Sequence, residues 1–329
     1  MMYNKKLIFY YSFIKYQHSK TMKTIMNTEN DMEHFCFTRY LYLKVEVKQS
    51  LMMSLLDHNY DESLFWAYEL YFSGFETEAF EYLYILYEDL YELKNPGLKK
   101  YINAVIDNWR KNKNHHWLLG SIVMTLCSRN YSLENFVCKF FKVKCEQKPT
   151  DNNNNNKQNF IINLKESDIE KYKTRICETH KAYKVLSEVC IYPLRKNIVK
   201  LFETFIPPNI KELYWYHWLY YAAKSPVWQN RIIQYNGKIN HENLSVEFSD
   251  EDEEKMVEFY SLWGYEPDEQ PLEVQNNNLG VFDDTYMDNQ VGIKEFCEKY
   301  GVNIIMKKIT KKKTKEIEVL ENTIVSRNS

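Results

Sequence analysis

From Asp61 to Trp109 large apolar side chains recur at three- and four-residue intervals, and this periodicity limits the fold more than any other feature of the chain. Leu64, Phe65, Tyr68, Tyr71 and Phe72 share one face of a helix. Asp61 is the expected N-cap, since its carboxylate can accept the free amides of the first turn. Gly74 is the expected stop, because glycine takes positive φ without a Cβ clash. A second stripe, Phe80, Leu83, Tyr84, Tyr87, Leu90 and Tyr91, is backed by Glu76, Glu78, Glu81, Glu88, Asp89 and Glu92. Asn95 and Pro96 read as the cap and first residue of a third helix. Leu98, Tyr101, Ile102, Val105, Ile106 and Trp109 line its inner side. Three such helices on short connections pack as antiparallel neighbours, because each stripe is too wide to leave wet. Burying one large aromatic side chain stabilises by roughly 1.5–3 kcal/mol, so these rings are expected in a core. The competing use of the same rings is a stacking surface for bases or a partner protein.

Composition bounds the remaining choices. The chain has 329 residues, enough for about two domains. Only 8 Gly and 8 Pro occur, which argues against a loop-rich all-β or dinucleotide-binding α/β design. Tyr (27), Phe (18) and Trp (7) are abundant. A net charge of −2 makes no overall electrostatic case for nucleic acid. The 7 cysteines, Cys36, Cys127, Cys138, Cys145, Cys177, Cys190 and Cys297, are odd in number and widely spaced, with no CxxC. That pattern fits reduced thiols in a cytosolic compartment rather than a disulfide framework.

In chain order, residues 1–30 read as a disordered or misassigned N-terminal extension. Lys5 and Lys6 precede an apolar run from Leu7 to Ile14 that is too short to span a bilayer and lacks a small-residue cleavage site. Residues 31–145 form the first helical module. Its Met32 to Leu56 stretch reads as one or two helical segments, and Trp117 to Cys127 as a helix buried on most sides. Ser132 caps a segment carrying Phe136, Val137, Phe140 and Phe141. The adjacent His115 and His116 would point apart on a helix, so they are expected to flank its start rather than share a metal. Residues 146–160, with five consecutive asparagines after Asp151, are an Asn-rich linker.

Residues 161–264 form the second helical module. A helix is predicted from about Ser167 to Cys190 with Ile169, Tyr172, Ile176, Tyr183 and Leu186 inward. A central, nearly all-apolar helix follows from Asn209 through Tyr221. Ser225-Pro226 repeats the cap signal, Asn236-Gly237 marks a turn, and an acidic-started helix runs from Ser249 to Trp263, ended by Gly264. Residues 265–329 are expected to be irregular apart from a short helix near Ile293 to Tyr300 and a lysine-rich segment. The fold class is therefore mainly α: two aromatic-rich helical bundle modules with a small irregular or β C-terminal part. The Phe65-Trp66 helix and the Tyr214-Trp215 segment match in kind at several spaced positions. An internal duplication would explain this, and chance competes in so aromatic a chain.

Lys307, Lys308, Lys311, Lys312, Lys313 and Lys315 form the one concentrated basic run. It reads either as a basic tail for phosphate backbones or as the turn of a small hairpin, since Val302, Ile304, Ile317 and Val319 alternate. No base-reading motif accompanies it, so any nucleic-acid contact would be nonspecific. No phosphate loop, nucleophile elbow, zinc-protease helix or kinase set occurs, and no catalytic, cofactor or metal residue is assigned. Paired groups such as Glu62 with Glu69, or Glu178 with His180, read as solvated helix faces. Cys127 or Cys190 would need a nearby histidine to act as a nucleophile.

The segment DESLFWAYELYFSGF, Asp61 to Phe75, resembles a helical protein family of giant nucleocytoplasmic large DNA viruses of the mimivirus kind. Trp218 to Trp228, with Tyr235 to Asn240, is similar to the same family. The resemblance extends over about residues 35–270, and the Asn run and Lys, Ile and Tyr bias suit such a genome. It implies a helical viral protein in host cytoplasm or virion and carries no activity, cofactor or site residue with it. The leading expectation is a non-enzymatic structural or interaction protein whose partner is another protein, with no membrane. The alternative is an accessory protein of viral replication or transcription that binds nucleic acid through the lysine run.

Overall fold

A computed structural model describes residues 35–141, 143–147, 160–176, 181–198, 201–202, 206–249, 253–280, 291–301 and 304–308. The chain is mainly helical. Helix α1 (Lys44–Leu56) and α2 (Tyr60–Tyr71) lie side by side across a tight turn in which His58 takes φ 54°. Asn59, not Asp61, caps α2: its extended backbone lets its side chain accept the Glu62 amide at 3.3 Å. Asp61 sits in the first turn, where it accepts from Lys171 and Tyr172 at 2.9 and 3.3 Å. After α2, Gly74 turns the chain at φ 91°, and a Cβ there would lie 2.6 Å from the Pro226 ring.

Helix α3 (Glu76–Leu86) runs into a π turn at Tyr87–Tyr91, so the predicted second stripe is one continuous element. Helix α4 (Leu98–Lys111) begins after the predicted Asn95 cap, because the Asn95 side chain instead donates to the Tyr91 and Asn130 carbonyls. Helix α5 (Trp117–Cys127) has the predicted extent, with His116 at its N-cap. Helix α6 (Glu134–Phe141) follows Ser132, whose hydroxyl accepts the Glu134 amide at 3.3 Å. Strand β1 (Val143–Gln147) comes next, and residues 148–159 of the Asn-rich segment lie outside the described residues.

The second half departs further from expectation. The helix predicted over Ser167 to Cys190 is two pieces, a 3-10 turn at Glu166–Tyr172 and α7 (Ala182–Val189). Lys173 leaves the first piece in extended backbone, with ψ 161°. Ile169, Tyr172 and Leu186 are buried as the stripe predicts, but Ile176 and Tyr183 are exposed. The predicted central helix is α8 (Ile210–Tyr216) and α9 (Trp218–Ala222), broken at His217, whose Nδ1 lies 3.0 Å from the Leu244 carbonyl. Helix α10 (Pro226–Gln234) starts at the expected Ser225-Pro226 signal. Asn236, at φ 60°, leads into an unanticipated antiparallel hairpin of β2 (Lys238–Asn240) and β3 (Ser245–Glu247).

Helix α11 (Glu253–Trp263) stops before Gly264 as expected. Helix α12 (Leu272–Leu279), started by Pro271, occupies a region expected to be irregular. Helix α13 (Ile293–Tyr300) matches its prediction. Strand β4 (Ile304–Lys308) then pairs antiparallel with β1, Val143 opposite Lys308 and Gln147 opposite Ile304. The strand expected in the C-terminal hairpin thus finds its partner far back in the chain, and Ile317 and Val319 lie outside the described residues. Buried side chains from both sides of the Asn-rich segment belong to one continuous hydrophobic cluster.

The segment before α1 is a buried loop rather than the expected helix. Phe35 to Leu43 is almost wholly inaccessible, and Phe37 bridges Leu43 while Leu41 takes φ 64°. Buried backbone needs hydrogen-bond partners, and they come from across the fold. Arg39 N donates to Ser73 Oγ at 2.8 Å and Tyr40 N to Glu69 Oε1 at 3.1 Å. Tyr42 N donates to Thr38 Oγ1, and Trp228 Nε1 to the Thr38 carbonyl, each at 3.1 Å. Asn278 Nδ2 donates to the Tyr40 carbonyl at 2.5 Å.

The Arg39 side chain completes the joint. Its Nε meets Glu69 Oε2 at 2.8 Å, one Nη donates to the Tyr172 carbonyl at 2.8 Å, and the other to Thr174 at 3.1 Å. Both members of the ion pair are essentially buried. Removing one partner of such a pair costs about 3–5 kcal/mol, because the survivor is left charged and unpaired. Glu69→Ala is therefore expected to lower the unfolding free energy by that amount in urea titration. The double substitution R39M/E69Q, which keeps an acceptor for the Tyr40 amide, should lose clearly less. Equal losses in the two variants would show that the pair does not hold the loop.

Candidate functional site

A group of ionisable side chains gathers where α1 meets α2. Asp57 caps α1, and Glu62 lies in the first turn of α2. Arg195 reaches them from the segment that follows Pro193. It donates from Nε and one Nη to the two Glu62 oxygens, at 2.8 and 2.5 Å, and from the other Nη to Asp57 Oδ2 at 2.9 Å. The Arg195 amide also donates to Ser50 Oγ at 2.9 Å. From α13, Tyr300 donates to Asp57 Oδ1 at 3.0 Å, with Lys299 3.6 Å from the same oxygen. Burial, and then the nearby Asp57 carboxylate, push the Tyr300 hydroxyl above its usual range. Hydrogen bonding to Glu62 pushes Arg195 further up.

A general acid or base needs a carboxyl oxygen within reach of a substrate proton. Here the oxygens are already taken. Trp66 Nε1 shares Glu62 Oε1 at 3.1 Å, and Asn59 Nδ2 shares Oε2 at 3.0 Å. Both Asp57 oxygens accept donors as well. The cluster works as a clasp that ties the 195 segment and α13 to the first two helices. Glu62 and Glu69, read in sequence as a solvated pair on one helix, are both buried, each on its own distant arginine. Nothing local in the sequence marks Arg195, because its carboxylate partner Glu62 is 133 positions away. Glu178 and His180 lie outside the described residues.

Among the described residues the histidine rings and thiols do not meet. His58 Nδ1 lies 2.6 Å from the carbonyl of Cys127, not from its sulfur, and its ring packs on Tyr131. The Cys127 sulfur instead faces Ser63 Oγ at 3.9 Å. Burial pushes the Cys127 and Cys297 thiols up to about 11 and that of Cys36 up to about 12. It raises Cys190 further still. A thiol held protonated is a poor nucleophile. His116 is drawn below its usual range by burial and lies 3.1 Å from the Tyr71 hydroxyl. Among the described residues no group of histidine, cysteine and carboxylate side chains has metal-holding geometry.

Of the basic run, Lys307 and Lys308 fall in β4, where Lys307 stands opposite Lys144 of β1 and Lys308 opposite Val143. Lys311, Lys312, Lys313 and Lys315 lie outside the described residues. No described helix is long and apolar enough to cross a membrane. No protein-family model, curated protein or solved structure matches the chain.

The thiol environments make a direct prediction. Brief alkylation of the native protein, mapped by mass spectrometry, should label exposed Cys138 and spare buried Cys36, Cys127, Cys190 and Cys297. Labelling of Cys127 as fast as Cys138 would contradict the packing around Ser63 and His58.

Proposed function

We propose that this chain is a non-enzymatic structural or interaction protein of viral origin, working in the host cytoplasm or the virion through contact with another protein. The observation that supports this reading is the occupancy of its buried acids. Arg39 with Glu69, and Arg195 with Glu62, join segments far apart in sequence and leave those carboxylates no free oxygen for chemistry. The aromatic rings of α2, α3 and α4 likewise pack on one another, Tyr71 against Phe80 and Trp109, and Phe80 against Trp109. The purified full-length protein is expected to turn over no ester, phosphoester, peptide or glycoside substrate. Turnover abolished by a single substitution at an ionisable residue would defeat the proposal.

The second reading is an accessory protein that binds nucleic acid, and the β1–β4 register favours it. In that register Lys144 and Lys307 are Cα partners, so the lysine run continues onto a strand whose neighbour also carries lysine. A phosphate backbone held by several lysines gives binding that falls steeply with salt. Fluorescence anisotropy with labelled single-stranded DNA, duplex DNA and RNA at about 50 and about 200 mM salt tests it. If it holds, binding weakens with salt and disappears when Lys307, Lys308, Lys311, Lys312, Lys313 and Lys315 are replaced by alanine. The absence of binding at the lower salt would remove it.

A further inference from the structure

Among the described residues, Arg231 is a buried cation with no carboxylate paired to it. It projects from α10 and keeps only 6 % of its surface exposed. Its guanidinium carbon lies 3.7 Å from the ring centre of Trp263 and 4.5 Å from that of Trp228, so two indoles flank it. Its Nη1 is buried and makes no hydrogen bond. Tyr265 packs edge-on against Trp228, with ring centres 5.4 Å apart, and stacks on Trp218 at 6.3 Å. The Tyr265 hydroxyl oxygen faces the Arg231 side chain and is buried, and no further partner takes the hydroxyl's own proton.

The other buried ion pairs show how this molecule ordinarily treats charge. Arg39 faces Glu69 and Lys196 faces Glu46. Glu69 cannot serve Arg231 as well, since its oxygens accept from Arg39 and the Tyr40 amide. Arg39 itself adds a like charge that opposes Arg231. An arginine stays protonated in proteins, so burial does not neutralise it. Indole faces offset part of the cost through their quadrupoles, but they accept no hydrogen bond from Nη1. The two donors, Nη1 and the Tyr265 hydroxyl, need an acceptor with oxygens spaced for a guanidinium fork.

We propose that Arg231 and Tyr265 form a binding site for a small oxyanion, a carboxylate or a phosphoryl group, walled by Trp228 and Trp263. The guanidinium donates two N–H groups to the anion's oxygens, and the Tyr265 hydroxyl donates a third hydrogen bond. The site goes beyond the interaction role proposed above and stands without it. The competing reading is that the indole box alone satisfies Arg231 and no ligand enters.

Thermal unfolding and tryptophan fluorescence of the full-length protein separate the two. The probes are inorganic phosphate, acetate and benzoate, each against sodium chloride at matched ionic strength. The proposal expects a saturable rise in the unfolding midpoint, with a matching fluorescence change, for phosphate or for the carboxylates. Response to phosphate alone assigns a phosphoryl ligand, and response to the carboxylates alone assigns a carboxylate. Tyr265→Phe, which removes one hydrogen bond to a charged group, should weaken binding roughly tenfold. Arg231→Met should abolish saturation. If that variant does not fold, Tyr265→Phe and Arg231→Lys, which keeps the charge but not the fork, carry the test. Wild-type midpoints that follow ionic strength alone would overturn the proposal. So would saturation that survives Arg231→Met, or binding unchanged in both Tyr265→Phe and Arg231→Lys.

Discussion

A loop inside a protein is tolerable only when its peptide groups find partners, and every amide from Thr38 to Tyr42 finds one, two of them on side chains of the α2 region. Glu69 and Ser73 of the α2 region, Trp228 of α10 and Asn278 of α12 bond directly to its backbone. The Tyr172 carbonyl and Thr174 hold its arginine. These contacts span most of the chain length, so the loop can form only when both halves are in place.

Aromatic packing supplies the bulk of the interior, and the tyrosine hydroxyls give that packing direction. The Tyr68 hydroxyl accepts the Gly120 amide at 3.1 Å and donates to the His116 carbonyl at 3.2 Å. A Cβ at Gly120 would come within 2.5 Å of that oxygen, which explains a glycine inside α5. Tyr71 accepts from Trp109 Nε1 at 3.0 Å and donates to the Lys113 carbonyl at 3.2 Å. A buried phenol without such a partner costs free energy, so these bonds select one docking angle for α2 against α4 and α5. Greasy packing alone would allow several.

The similarity between the Phe65-Trp66 and Tyr214-Trp215 stretches does not extend to their structure. Trp66 lies at the centre of the core on an unbroken helix, with Nε1 on Glu62. Trp215 is half-buried on a short helix that breaks at His217, with Nε1 on Gln275. Similar apolar spacing therefore produces a straight helix in one place and a broken one in the other. The Leu244 carbonyl that receives His217 belongs to the hairpin after α10, and no local pattern announces it.

What the amino-acid order determined by itself is the set of elements whose causes are local. Trp117 to Cys127, Ile293 to Tyr300 and the Ser225-Pro226 start are readable because periodicity, caps and proline act within a few residues. The mainly helical class follows from the same signals, as does the placement of the α2, α3 and α4 stripes inside the core. Tertiary structure alone decided that Phe35 to Leu43 is a buried turn and that the Ser167 to Cys190 stretch divides. It also decided that Ile304 to Lys308 pairs with Val143 to Gln147, and that Glu62 faces Arg195 rather than water. In each case the deciding partner sits far along the chain. The desolvation of a charge or a peptide group depends on what surrounds it in space, and spacing along the sequence carries no record of that.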